Sequence, residues 1–154
     1  VRAPNRFPID KIDELVDQKK EWIKKKLEAS LKRLQNRPPK RTLEEIRQLR
    51  ENAVTQIQNK IDHFSQLTQT PYRNLKISNA KRRWGTCTSS GQIHINWRLV
   101  LAPEAVLEYV IIHELMHIRE MSHSRTFWKR VEAVQTDYKK HRIWLKDNGH
   151  ILTI

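Results

Sequence analysis

The chain has 154 residues, with 30 Lys and Arg against 17 Asp and Glu, a formal charge of +13, and five Trp among its 38% hydrophobic residues. That length supports one domain with a real core, and the large aromatics exclude a disordered chain. Cys87 is the only cysteine, which excludes an internal disulfide framework, and no apolar run reaches the length of a membrane span.

The positive charge is spread along the chain, +6 over residues 1–70 and +7 over residues 71–154, so it is not a basic tail. It would favour non-specific association with nucleic acid by counterion release. No base-stacking motif accompanies it, and a solvated basic surface is the first reading. The chain opens at Val1 without a charged-then-apolar leader, which points to a removed leader or a missing upstream piece, and the cysteine usage suits the cytoplasm.

Residues 1–70 read as a helical hairpin region. Ile9, Ile12, Leu15, Val16, Ile23, Leu27, Leu31 and Leu34 recur at helical spacing and predict one helix from about Pro8 to Leu34. Arg37-Pro38-Pro39-Lys40 ends it, because proline cannot continue a helix. Thr42-Leu43-Glu44-Glu45 has the form of a capping box and opens a second helix that runs to about Leu67. Together the two predict an antiparallel hairpin with solvated charged faces.

After Thr70-Pro71, Asn74–Asn79 and Gln92–Trp97 alternate apolar and polar residues and predict a β-hairpin or two neighbouring strands, with turn residues ending at Gly91 between them. A helix follows from about Pro103 to Arg119, another from near Ser124 to about Lys140, and a short one from Arg142 to Asn148. Ser124 is the expected cap of the second of these, with Phe127, Trp128 and Val131 on its inner face. Gly149 is expected as a left-handed C-cap and Ile151–Ile154 as a final strand. The fold class is α+β, mostly helical, with a small antiparallel or mixed sheet against one buried helix.

That buried helix carries the chemistry. In Leu107–Ile118 apolar residues fall on every side, yet His113, Glu114 and His117 lie among them. Unpartnered polar groups in such a place cost several kcal/mol, roughly 2–7 each. His113 and His117 are four apart, so their imidazoles share one helix face and can bind one metal. Glu114 is rotated about 100° away and stands beside such a metal without ligating it. The pattern His-Glu-x-x-His is the zinc-hydrolase signature.

A third ligand is needed, with an open position for water. His123, five intervening residues after His117, is the preferred candidate, and Glu132 on the next helix is the rival. Metzincin endopeptidases share the His123 spacing, but their glycine is replaced here by Glu120. Cys87 is a lesser candidate as an extra ligand or thiolate switch, and His141 and His150 read as surface or capping residues.

Arg83-Trp84-Gly85-Thr86-Cys87, Ile95–Leu99, Val110–His117 and His123–Trp128 resemble the YgjP-like predicted metal-dependent hydrolases, relatives of SprT-like and other small zincin metallopeptidases. Val1-Arg2-Ala3-Pro4 and Glu21-Trp22-Ile23 extend the resemblance over nearly the whole chain. It implies a single metallopeptidase-like domain over 1–154, strands upstream of Val1 that this chain lacks, and a metal cleft beside Trp84–Cys87. The expected reaction is hydrolysis of a peptide or protein substrate, with one Zn²⁺ per chain on His113, His117 and His123 and with Glu114 as general base. Arg82, Arg83 and Tyr109 are candidates for stabilising the oxyanion. Two alternatives stay open: a zinc hydrolase of a non-peptide bond, and a basic nucleic-acid-associated module with a structural metal.

Overall fold

The structure is a computed structural model, and it describes residues 8–35 and 41–152. The chain divides into two compact units, residues 1–39 and residues 40–154. Val1–Pro4, Ile154 and the Pro38-Pro39 break lie outside the described residues.

The first unit holds α1 (Ile9–Gln18) and α2 (Lys20–Gln35) in place of the single helix expected. The break falls at Lys19, whose backbone opens to φ −101°, ψ 4°. Its N–H is shared between the carbonyls of Leu15 (3.2 Å) and Val16 (3.1 Å), the three-centre bond of a helix end. No proline or glycine marks the spot, so the sequence pattern ran through it.

The second unit begins with α3 (Leu43–Leu67), and its capping box forms in full. Thr42 Oγ1 accepts from the Glu45 amide at 3.2 Å, and the Thr42 amide donates to the Glu45 carboxylate at 2.7 Å. Ala53, Ile57 and Ile61 form the buried stripe of α3.

Next come β1 (Asn74–Ser78), β2 (Gly85–Cys87) and β3 (Gln92–Asn96), with β3 in the middle of the sheet. β1 runs parallel to β3, and the hairpin is made by β2 and β3. The short β2 carries no alternation long enough to show in the sequence, so the two strands predicted as possible hairpin partners are parallel neighbours instead. Gly91 makes the β2–β3 turn at φ +78°. The register places Leu75, Ile93 and Cys87 in one row and Ile77, Ile95 and Gly85 in the next. Ile93 and Ile95 are buried in the core. Lys76, His94 and Thr86 form a row on the opposite face.

A 3₁₀ turn (Trp97–Leu101) leads to α4 (Glu104–Arg119), followed by α5 (Arg125–Val134), α6 (Tyr138–Asn148) and a last 3₁₀ turn (Gly149–Leu152). α4 is the centre of the unit. It packs on α3, α5, α6, β2 and β3, and ten of its 16 residues are buried, so no free face remains. The helix expected from Ser124 to Lys140 ends instead at Val134, and α6 starts earlier than predicted. Gly149 is right-handed (φ −54°, ψ −26°), not a left-handed cap. Space favours a glycine there: a Cβ would lie 3.0 Å from the Trp84 ring, tighter than an ordinary contact. Residues 149–152 are 3₁₀ and not a strand.

Candidate metal centre

His113 and His117 sit one turn apart on α4, and His123 follows in the short connection to α5. Ser124 caps α5 by accepting from the Phe127 amide at 3.2 Å, which fixes the chain direction immediately after His123. The three imidazoles meet. Nε2 of His113 lies 3.2 Å from Nε2 of His117 and 3.0 Å from Nε2 of His123. Among the described residues they form a group able to hold a metal ion, with all ligand atoms within 4.8 Å. Neither Cys87 nor Glu132 is part of it. Glu132 is an exposed partner of Lys139.

The donor set fits a small dication. Tetrahedral ligation at 2.0–2.1 Å puts nitrogen ligands about 3.3 Å apart, close to the spacing found. Without a cation or a shared proton, neighbouring lone pairs at 3.0–3.2 Å repel. His117 Nδ1 is 3.1 Å from the Glu120 carbonyl, and a proton donated there leaves Nε2 free to ligate. His113 Nδ1 is buried and has no hydrogen-bond partner.

The floor of the group is Phe127, fully buried, with its ring centroid 4.9, 4.5 and 4.9 Å from those of His113, His117 and His123. Trp128 stacks on His123 at 5.5 Å and 19°. Burial, and then the nearby His117, His123 and Arg142, push the His113 pKa down to about 3. Burial likewise lowers His117, against the opposing hydrogen bond to Glu120. Neutral imidazoles are the form that binds metal.

Glu114 is buried at 6% exposure, and burial pushes its carboxyl up to about 8. Its side chain lies over Gly85 of β2. A Cβ at that position would stand 2.5 Å from Oε1 and 2.6 Å from Cγ. Cys87, on the same face of β2, has its thiol pushed up to about 11, by burial first and by Glu114 second. Burial there favours the protonated thiol.

Of the oxyanion candidates, Tyr109 is buried one turn before His113, with ring centroids 5.8 Å apart. Arg83 lies instead on the wall of a cavity with His94 and Thr86, on the sheet face away from Ile93 and Ile95. Sequence reading missed Arg142, whose guanidinium lies 4.8 Å from the Trp128 ring and acts electrostatically on both His113 and Tyr109. It missed Asn96 as well. The buried Asn96 amide donates to the carbonyls of Ala80 (2.7 Å) and Arg83 (3.1 Å) and so pins the loop that delivers Gly85. Arg142 belongs to no motif, and Asn96 falls within the Ile95–Leu99 segment without its role showing there; both act through contacts distant in sequence.

Residues 32–148 match the family model described as YgjP-like, metallopeptidase domain. The chain therefore belongs to the YgjP-like metallopeptidase family. Among solved structures it is similar to the metallopeptidase zymogen abylysin of Pyrococcus abyssi, at 23% identity and a TM-score of 0.51, over 58% of this chain and 93% of that one. It is also similar to the metallopeptidase zymogen jannalysin of Methanocaldococcus jannaschii, at 18% identity and a TM-score of 0.51, over 58% and 92%. At those identities the likeness bears on the fold, which is zincin-like. No curated protein matches the chain. No helix among the described residues is long and apolar enough to cross a membrane.

Proposed function

We propose that this YgjP-like family member is a zinc-dependent peptidase of the cytoplasm, with His113, His117 and His123 holding one Zn²⁺ and Glu114 serving as general base. The observation that carries the reading is the convergence of three imidazoles, with His113 Nε2 3.2 Å from His117 and 3.0 Å from His123 and all three ligand atoms within 4.8 Å, beside a buried carboxyl group that is not among them. A structural metal has no use for such a carboxylate, which costs free energy to bury.

Held by His113, His117 and His123, zinc would supply a Lewis acid for the scissile carbonyl and would lower the pKa of the attacking water toward about 7. Glu114 accepts the proton of that water and delivers it to the leaving amine. Burial raises its pKa, and a dication held by the three imidazoles would lower it and favour the ionised carboxylate that accepts the proton. Phe127 keeps bulk water from beneath the imidazoles. The Glu120 carbonyl holds His117 in the ligating tautomer.

Substitution Glu114→Gln tests this. Glutamine fills the same space over Gly85 but accepts no proton. Zinc content and thermal melting should match the parent chain, while cleavage of an unstructured protein falls about 10²–10⁴-fold. Full activity in the variant excludes the general base. Loss of zinc would make Glu114 a ligand.

A further inference from the structure

α4, with Glu114 over Gly85, packs against one face of the sheet. The other face has a cavity of about 320 Å³, walled in part by Arg83, His94, Thr86, Ser78 and Trp84. From His63 to Pro103 there is no Asp or Glu, yet Arg73, Lys76, Lys81, Arg82, Arg83 and Arg98 fall in that stretch. None of these six cations has a carboxylate partner among the described residues; the ion pairs that form involve other residues. Lys76, His94 and Thr86 align across all three strands on this face. The cavity thus gathers Arg83, His94, Thr86 and Ser78 with no acidic residue in its lining, the nearest acid, Glu114, lying behind Gly85.

We infer that this cavity is an anion-binding subsite that takes a carboxylate side chain of a peptide substrate. Arg83 supplies a planar fork suited to a carboxylate, and Thr86 and Ser78 supply hydroxyls at its margin. Gly85 connects the cavity to the reaction, since it lines the cavity while its other side abuts Glu114. An anchored side chain is therefore one strand's thickness from the general base. A polypeptide suits the place better than nucleic acid. β2 is an edge strand that an extended chain can join. Trp84, half-buried with its indole edge against Gly149, is the only aromatic ring besides the His94 imidazole in the cavity wall, fewer than a stacked run of bases uses.

The substrate half of this assignment rests on the peptidase reading, while the anion half does not, and the test separates them. The zinc-loaded full chain carrying Glu114→Gln is titrated with two unstructured peptides, identical except for Glu in one and Gln in the other. The backbone amide resonances of Gly85, Thr86 and His94 are followed by NMR. The Glu peptide should shift them saturably and bind at least about tenfold more tightly than the Gln peptide, as a charge-assisted contact predicts. Arg83→Gln should remove that difference, and Arg83→Glu should transfer the preference to a Lys peptide. With Glu114 restored, kcat/KM should favour the Glu peptide by a similar factor. Equal binding of both peptides, or an unchanged preference in Arg83→Gln, overturns the subsite; His94→Gln replaces that variant if it does not fold. Tighter binding of inorganic phosphate, or displacement of the peptide by a single-stranded oligothymidylate, overturns the peptide assignment. If the anion binds but Glu114→Gln still cleaves, the peptidase mechanism fails and the anion site stands.

Discussion

The most constrained residue beside the candidate metal centre is Gly85. Its backbone is not left-handed, so space and not torsion demands glycine. Gly85→Ala would put a methyl group 2.5 Å from Glu114 Oε1, and the carboxylate must move. The variant should keep its zinc and its melting temperature to within a few degrees and lose at least about tenfold in kcat/KM, since misplacement by about 1 Å costs up to 10²-fold. Unchanged kcat/KM would show that the carboxylate has room to spare. Glu114 also shapes the pH response of the metal-free chain. Its folded pKa of about 8 exceeds the ordinary 4.5, so its contribution to stability is complete below pH 4.5 and is lost as pH rises through 8. His113 acts in the opposite sense: lowered from 6.5 to about 3, it contributes above 6.5 and that contribution is lost as pH falls toward 3. Melting curves of the stripped chain should therefore decline from neutral to mildly alkaline pH, and Glu114→Gln should flatten the decline while leaving the acid limb in place.

Between elements, Lys60 ties α3 to the start of α4, reaching Glu104 at 2.5 Å and Glu108 at 2.6 Å. Burial pulls its pKa down, but the two carboxylate hydrogen bonds prevail and the net shift is upward. The two bonds differ in weight because the Glu104 side chain is 70% exposed and that of Glu108 only 26%. Solvent screens the first pair, leaving the second to carry most of the coupling. In double-mutant cycles with Lys60→Ala, Glu108→Ala should couple by about 1 kcal/mol and Glu104→Ala by a few tenths. Equal couplings would mean that burial does not rank these pairs. The same contrast between local and distant causes separates the element boundaries. The capping residues Thr42 and Ser124 signal in the sequence because a cap is satisfied within three residues. The break at Lys19 and the early end of α5 carry no such signal.

For the whole molecule, every buried apolar residue among those described lies between Ala53 and Leu152, in the unit formed by residues 40–154. Burial of apolar surface is the main driving term in folding, so that unit has what it needs to fold alone. A chain of residues 40–154 should melt cooperatively and bind one zinc with an affinity within about threefold of the full chain, a difference under about 1 kcal/mol. Loss of either property would show that residues 1–39 contribute to the core.

By itself the sequence determined the helices with local caps, the α+β class, and the pairing of His113 with His117 beside an offset Glu114. Each of these follows from helical geometry, which repeats every 3.6 residues whatever surrounds it. It also ranked His123 over Glu132 by tether length, and the structure brings His123, not Glu132, to the other two imidazoles. Only the tertiary structure decided the parallel pairing of β1 with β3, the place of Phe127 beneath three histidines, the hold of Asn96 on the loop before β2, and the reason position 85 is glycine. These arise where elements far apart in the chain come into contact, and such contacts leave no period in the sequence. A bare glycine reads as a turn until the carboxylate that fills its missing side chain comes to lie against it.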